Sequence, residues 1–430
     1  MGVPLKKTGI LFVLIATAGW VSCGGGGSSK PQRVQTFLAK RAFLTNSSTT
    51  NGAGVVSILD ATKDLFGNNL LTVSPGTNVI ATTIPGKVSV TASKTTAQVA
   101  VIDNNLELVR GFVSLPSETE SMAVTPDGRF AFAAVHNTNS IEIIDMAGVK
   151  LCTTQTTTCK GPITVNAPTK IVLSGDGKTL LAFSDNPGTA DSVYVIDAAA
   201  AVSTGGLGVT PTPVAGFHRA VNAVFASDNV TAYVMNCGFE CGDATGTEGV
   251  QVLNTTAATN TGTLGSASAS APATVGVLDS GNLFVAGTKE TGQGVMNGGL
   301  VTKINASTLA LGASASIAPG IHDTMTAQAG KVFVGSRACA LAQPAPPASP
   351  IPNQGCLAIW DGNSNLVITG LSDPFALPTD VTGMQAISNR SVVYVIVGGE
   401  LQIYDANTSA LQSQQLDIVG HAEQVVQVDP

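Results

Sequence analysis

Short apolar runs that end on an acid or amide recur along this chain. The pattern is β-branched or aliphatic, variable, aliphatic, aliphatic, then Asp or Asn. It reads "VSILD" at Val56–Asp60, "VAVID" at Val99–Asp103, "IEIID" at Ile141–Asp145 and "VYVID" at Val193–Asp197. It continues as "VQVLN" to Asn254, "VTKIN" to Asn305, "LAIWD" to Asp361 and "LQIYD" to Asp405. The eight copies lie 42 to 57 residues apart. Apolar runs this short, bounded by turn formers, predict strands rather than helices. A strand with one wet face would alternate apolar and polar positions. These are apolar at nearly every position, which predicts cover on both faces.

Two further strands precede most copies, joined by a tight turn, as in "SMAV-TPDG-RFAFAAV" (Ser121–Val135) and "KIVL-SGDG-KTLLAF" (Lys170–Phe183). Pro85–Lys87, Asp279–Asn282 and Ala329–Lys331 fill the same slot. Gly, Asp and Asn there supply positive φ and side-chain turn bonds. A weaker strand follows, such as "LELVRGFVSL" at Leu106–Leu115. Each unit therefore predicts a four-stranded antiparallel meander of inner, second, third and outer strands. Such units in series predict an all-β, closed β-propeller. Small residues on the inner strands (Ala223, Ala273, Ala327, Ala386) suit crowding around a central axis.

The first unit has "RAFLTNSS" (Arg41–Ser48), "VVSILD" and an outer strand near Leu70–Ser74, but no clean inner strand before them. The tail "AEQVVQVD" (Ala422–Asp429) can supply it. Pairing the last strand with the first blade closes the ring and removes two open sheet edges. The count is then eight blades, or seven if the weak second unit is not a blade.

Composition agrees with an all-β, turn-rich chain: 44% of residues are apolar and 11% charged, with 47 Gly and 21 Pro. Residues 1–22 read as a signal peptide, with Lys6 and Lys7 ahead of the apolar Gly9–Ala18. "WVSC" (Trp20–Cys23) resembles the cleavage box of bacterial lipoproteins, which implies lipid attachment at Cys23. Residues 23–34, opening "CGGGGSSK", would then be a flexible tether, and residues 35–430 the propeller. Gly24 lacks the Asp that resembles an inner-membrane retention signal, so this analogy points to the outer membrane of a bacterial envelope. The alternative is ordinary secretion with cleavage near Ser22.

Without residues 1–22, 19 Lys and Arg face 28 Asp and Glu, a formal charge of −9. No nucleic-acid partner is expected of so acidic a chain. Six cysteines remain after Cys23. They fall into local pairs, Cys152 with Cys159, Cys237 with Cys241, and Cys339 with Cys356. Three local disulfides are the expectation, out of fifteen possible connectivities. Zinc at "CGFEC" is disfavoured, because the spacing is wrong and no second pair lies nearby.

The units resemble the YVTN family of β-propeller repeats. The likeness rests on "AFLTN" (Ala42–Asn46), "AYVMN" (Ala232–Asn236), "FAAVHNTNSIEIIDMAG" (Phe132–Gly148) and "PDG" (Pro126–Gly128), and it runs over residues 35–430. It implies an exported surface protein that serves as a binding or scaffold module.

Candidate chemistry is sparse. The repeated Asp or Asn precedes small turn formers, so a structural role in bonding turn amides is expected. His218, His322 and His421 precede or open inner strands, which predicts places near the channel mouth. Three imidazoles near one axis could take a metal or anion. Their blades are not adjacent and no carboxylate accompanies each, so no metal and no cofactor is expected.

The long second-to-third-strand loops should share one face: Asn46–Gly54, Ser184–Asp191, Asn236–Glu248, Gly287–Gly298 and Arg337–Gly355. Their Asp185, Asp191, Glu240, Asp243, Glu248, Lys289 and Arg337 are candidate partner contacts. "DNPGTAD" (Asp185–Asp191) offers oxygens to Ca²⁺ but lacks a regular ligand pattern.

The expected function is a monomeric, envelope-anchored, non-enzymatic module. It would bind a protein or polysaccharide through the long-loop face and meet the membrane only through its lipid. The alternative is a lactonase-like or other hydrolase acting at the channel mouth, although no nucleophile elbow or HExxH motif is present. A structural component of a surface layer is a third reading.

Overall fold

Eight antiparallel sheets follow one another around a ring in the computed structural model. It describes residues 35–430 apart from 48–51, 84, 155–157, 186–191, 204–207, 238–240, 242–248, 265–270, 291–295, 340–354, 365, 370–379, 413–415, 417 and 419. Residues 1–34, with the signal segment, the tether and Cys23, lie outside the described residues.

Blade 1 has Ala422–Gln427 innermost, then Arg41–Asn46, Gly54–Asp60 and Leu65–Val73. The tail strand pairs antiparallel with the first strand of the ring, with Ala42 opposite Gln427 and Leu44 opposite Val425. The unit that sequence left in doubt is complete. Thr77–Thr82, Val88–Ser93, Gln98–Asp103 and Leu108–Ser114 form blade 2, so the blades number eight and not seven. Blades 3 to 7 begin at Ser121, Pro168, Ala220, Val275 and Gly320. Blade 8 has Val381–Ile387, Val392–Val397 and Glu400–Asp405 in its ladder, with isolated bridges from Leu416 to Leu401 and from Leu411 to Tyr404 at its outer edge.

Strand periodicity explains the packing. Neighbouring residues of a strand face opposite sides of a blade. Phe43, Val56 and Ile58 therefore pack toward blade 2, while Ala42, Leu44 and Leu59 pack toward blade 8. Each of the eight seams between blades holds its own apolar cluster. The third strands are apolar on both faces because each lies between two such clusters.

The eight Asp and Asn residues close turns. Asp145 Oδ1 accepts from the amides of Ala147 and Gly148, both at 3.1 Å, and Asp405 Oδ1 from Asn407 and Thr408 at 2.8 and 2.9 Å. Asp60, Asp103, Asp197, Asn254, Asn305 and Asp361 each accept from an amide two or three residues on. Lys331, 2.8 Å from Asp361, holds that carboxyl far below its ordinary range.

The inner strands border the channel and have no further strand to pair with, so side chains satisfy their backbone. Gln424 Oε1 accepts from Ile80 N (3.1 Å), Ser121 Oγ from Ile171 N (3.0 Å) and Gln427 Oε1 from Ser388 N (2.7 Å). These bonds tie neighbouring blades at the hub.

The three disulfides join Cys152 to Cys159, Cys237 to Cys241 and Cys339 to Cys356. They point to an oxidising, extracytoplasmic compartment. Among the described residues no helix is long and apolar enough to cross a membrane.

Candidate functional site

In a four-stranded meander the inner strand begins on the face where the second strand ends. The inner-strand starts and the long loops therefore share one face. Two disulfides are on this face: Cys237–Cys241 follows the second strand of blade 5, and Cys339–Cys356 bridges the second and third strands of blade 7.

The inner strands open on a common irregularity. In six blades the register skips one residue near the start: Glu423, Asn78, Thr169, Val221, Asp323 and Thr382. A bulge sharpens the local twist and re-aims side chains. These positions, distinct from Ala223, Ala327 and Ala386 in the regular parts of the inner strands, include two acids, Asp323 and Glu423. Asp323 of blade 7 pairs with Arg337 at 2.7 Å. Burial pushes its carboxyl up to about 6, against the opposing pull of Arg337 and of Lys170. Lys170 follows the bulge of blade 4. Water reaches it although protein surrounds it deep in the ring, and burial lowers its ammonium pKa while the charge of Asp323 opposes that.

His218 and His421 occupy equivalent positions. Each backbone N–H donates to the Asn that ends the adjoining second strand, His218 to Asn236 Oδ1 (2.9 Å) and His421 to Asn46 Oδ1 (3.0 Å). His322 lies inside the inner strand of blade 7 and is buried. Its Nε2 lies 3.1 Å from the Ala318 carbonyl, and burial lowers its pKa to about 4, so the ring is neutral at pH 7. These three belong to blades 5, 1 and 7. Among the described residues no group of three His, Cys, Asp or Glu is disposed to hold a metal.

A cleft on this face lies between blades 3 and 4, with a volume of about 300 Å³. Glu118, Glu120, His136, Asn137, Thr169 and Asp185 supply its polar walls, and Ala134 and Pro168 its apolar ones. Glu118 and Glu120 come from the segment entering blade 3. His136 opens the short turn His136–Thr138 after the second strand, closed by Asn139 at φ 54°. Asn139 Oδ1 accepts from Ala167 N at 2.8 Å, which fixes the turn against the start of blade 4.

His136 Nε2 lies 3.0 Å from Asp185 Oδ1. That bond raises the imidazole pKa, and the charge of Glu120 adds to it. Asn137 Nδ2 donates to Ser117 Oγ (3.1 Å) and to Glu118 Oε1 (3.3 Å). The Ser117 hydroxyl donates to Glu118 Oε2 at 2.6 Å and is the main cause that lowers this carboxyl's pKa. Among the described residues three carboxylates line the cleft and no Lys or Arg does, so its potential is negative.

Of the loop residues named from sequence, Asp185 lines this cleft, Arg337 pairs with Asp323, and Lys289 is exposed near the end of a blade 6 strand. Asp191, Glu240, Asp243 and Glu248 lie outside the described residues, as does Asn186 of the candidate Ca²⁺ loop. Sequence reasoning did not assign Glu118, Glu120 and His136 to a site. The available signal was "SETES" (Ser117–Ser121) just before an inner strand and "HNTN" (His136–Asn139) in the loop slot.

No family model matches the sequence, and no curated protein matches it. Solved structures are similar in fold. One is dihydro-heme d1 dehydrogenase NirN in complex with DHE, at TM-score 0.67 and 12% identity, covering 92% of this chain and 77% of that one. The Dos1 propeller gives TM-score 0.58 at 11% identity, covering 81% and 86% of the two chains. The hydrazine synthase of Kuenenia stuttgartiensis gives 0.53 at 15%, covering 80% and 96%. At such identities the likeness is one of fold alone.

Proposed function

We propose that this chain is a non-enzymatic propeller of the bacterial cell envelope, anchored by lipid at Cys23, that binds a protein or polysaccharide through its long-loop face. The observation that carries this reading is the open, acidic cleft between blades 3 and 4, on the face that also bears two disulfide-stapled loops. Elaborated loops on a rigid scaffold are where binding residues concentrate. The cleft suits a positively charged or multiply hydrogen-bonding group, because Glu118, Glu120 and Asp185 supply acceptors and, among the described lining residues, only the His136 imidazole competes for them. Among the described residues the ring nitrogens of His136 bond Asn137 and Asp185 and no hydroxyl or thiol, and the His322 ring bonds a carbonyl. Neither histidine activates a hydroxyl or thiol, which favours binding over hydrolysis. The resemblance to YVTN repeats and the three disulfides support an exported scaffold.

The test is crosslinking in intact envelopes, comparing the wild-type chain with the Glu120→Gln/Asp185→Asn variant. Loss of a crosslinked partner in the variant, at equal abundance and thermal midpoint, is the expected result. Equal recovery of the same partners from both chains would remove the cleft from the binding face.

A further inference from the structure

Nine large apolar side chains are exposed among the described residues, and six of them belong to blades 1 and 2 or to the segment entering them. They are Phe37 (84% exposed), Leu65, Phe66, Leu70 (61%), Leu106 and Phe112. Their placement is local. Gln35 Nε2 donates to Asn105 O (3.0 Å), Thr36 N to Glu107 Oε2 (2.7 Å) and Asn69 Nδ2 to Glu107 O (3.3 Å). The segment Gln35–Leu38 thus spans from the outer strand of blade 1 to the turn Asn104–Glu107 of blade 2. A side chain built on Gly67 would meet Thr36 Cγ2 at 3.3 Å and Leu38 Cδ1 at 3.4 Å, so this segment lies directly on the outer strand. Single exposed apolar residues are ordinary, but a concentration on one edge is not.

The charges around this rim are arranged in a particular way. Three of the four carboxylates in the turns leading into the two outer strands face an arginine: Asp64 with Arg390 (2.5 Å), Asp103 with Arg110 (2.5 Å) and Glu107 with Arg41 (3.2 Å); the fourth, Asp60, is buried and accepts from Thr62. Lys63 stands exposed beside Leu65 and Phe66. The rim is therefore apolar and most of its described carboxylates are paired, on a chain whose net charge is −7.

We infer that the outer rim of blades 1 and 2 rests on a lipid bilayer, with Phe37, Phe66 and Phe112 at the headgroup boundary. The inference rests on the lipid-anchor reading of Cys23. Eleven residues separate Cys23 from Gln35. Such a segment spans at most about 40 Å, and Gln35, the first described residue, adjoins the patch itself. Exposed aromatic and aliphatic groups gain by burial at the headgroup boundary. Paired carboxylates remove the repulsion that an anionic leaflet would otherwise exert. Docking by this edge leaves the long-loop face open to a partner.

The test uses the full chain matured in bacteria and placed in vesicles of phosphatidylethanolamine and phosphatidylglycerol containing a spin-labelled lipid. A fluorophore is attached either at Leu70→Cys in the rim or at Ala310→Cys, exposed on blade 6 across the ring. Flotation and the mass of the N-terminal peptide report the anchor, and quenching reports the docking. Several-fold stronger quenching at position 70 than at 310 is expected. The substitution Phe37→Ser/Phe66→Ser/Phe112→Ser should bring the ratio near one while flotation persists. A ratio near one in lipidated, floating protein with native aromatics would overturn the docking and leave the anchor standing. A chain that carries no lipid and does not float would overturn both.

Discussion

The closing blade and the blade 3–4 cleft use charge in opposite ways. At the closing blade, ions are buried and paired. Arg41 donates to Asp429 from its backbone N (2.8 Å), Nε (2.7 Å) and Nη2 (2.8 Å), and from Nη1 to Glu107 Oε1 (3.2 Å) and the Asn104 carbonyl. On the opposite seam Arg390 grips Asp64 with both terminal nitrogens, at 2.5 and 2.8 Å, and the Tyr394 hydroxyl donates to the same carboxylate at 2.7 Å. Blade 1 is thus fastened by guanidinium–carboxylate pairs to both neighbours. At the cleft, by contrast, three carboxylates stand with one histidine and no strong cation. Paired charges hold the ends of the chain together, while the open acidic wall leaves acceptors for something outside the molecule. Electrostatics therefore closes the ring in one place and stays available in another.

Removing the tail should separate the two regions most sharply. Deleting residues 422–430 strips the inner strand of blade 1 together with Asp429, and exposes an unpaired strand edge. A large loss of folded monomer by size exclusion and circular dichroism is expected. A monomer with an unchanged midpoint would show that the tail is dispensable.

Next in size is Arg41→Met. Removing one partner of a buried pair leaves the other uncompensated and costs about 3–5 kcal/mol. Denaturant unfolding measures it. A cost near that of an ordinary surface change would mean that the clasp does not bear on closure.

His322 gives a pH signature outside both regions. Its folded pKa of about 4 lies below its ordinary 6.5, so the unfolded chain takes up a proton first as pH falls. This group's contribution to stability is complete above pH 6.5 and is lost as pH drops from 6.5 to about 4. Stability of His322→Gln should fall less steeply than wild type over that window. Equal slopes would argue against a neutral buried ring.

The smallest effect belongs to the cleft. The His136–Asp185 pair is exposed, and His136→Ala should cost at most about 1 kcal/mol. The sign is opposite to that of His322. The folded pKa of His136 is raised, so its contribution is complete below 6.5 and is lost as pH rises through the folded value. A stability loss from His136→Ala as large as that from Arg41→Met would erase the distinction between the regions.

Much of the fold was legible because it is repetitive and local. "VSILD" and its seven counterparts are apolar on both faces because each lies between two blades, and the Asp or Asn that ends each one serves the turn beside it. The disulfides close short loops of 4 to 17 residues, so proximity in sequence located them. The closing strand could be placed because blade 1 lacked an inner strand. What sequence could not show depends on distant partners. Arg41 and Asp429 are 388 residues apart, and nothing local to either marks the pair. His136 and Asp185 are 49 apart on different blades. Their meeting depends on how successive blades are rotated, which no strand pattern encodes. The bulges at Asp323 and Glu423 were hidden for a related reason, since a register skip leaves no mark in the apolar pattern of its strand.

Native-state hydrogen exchange on the full chain, resolved by peptide, compares both regions at once. Closure predicts that amides of Ala422–Gln427 and Arg41–Asn46 exchange as slowly as those of Thr231–Asn236 in blade 5, while residues 117–120 and 136–139 around the cleft exchange orders of magnitude faster. Fast exchange at 422–427 with blade 5 still protected would mean that the tail does not close the ring.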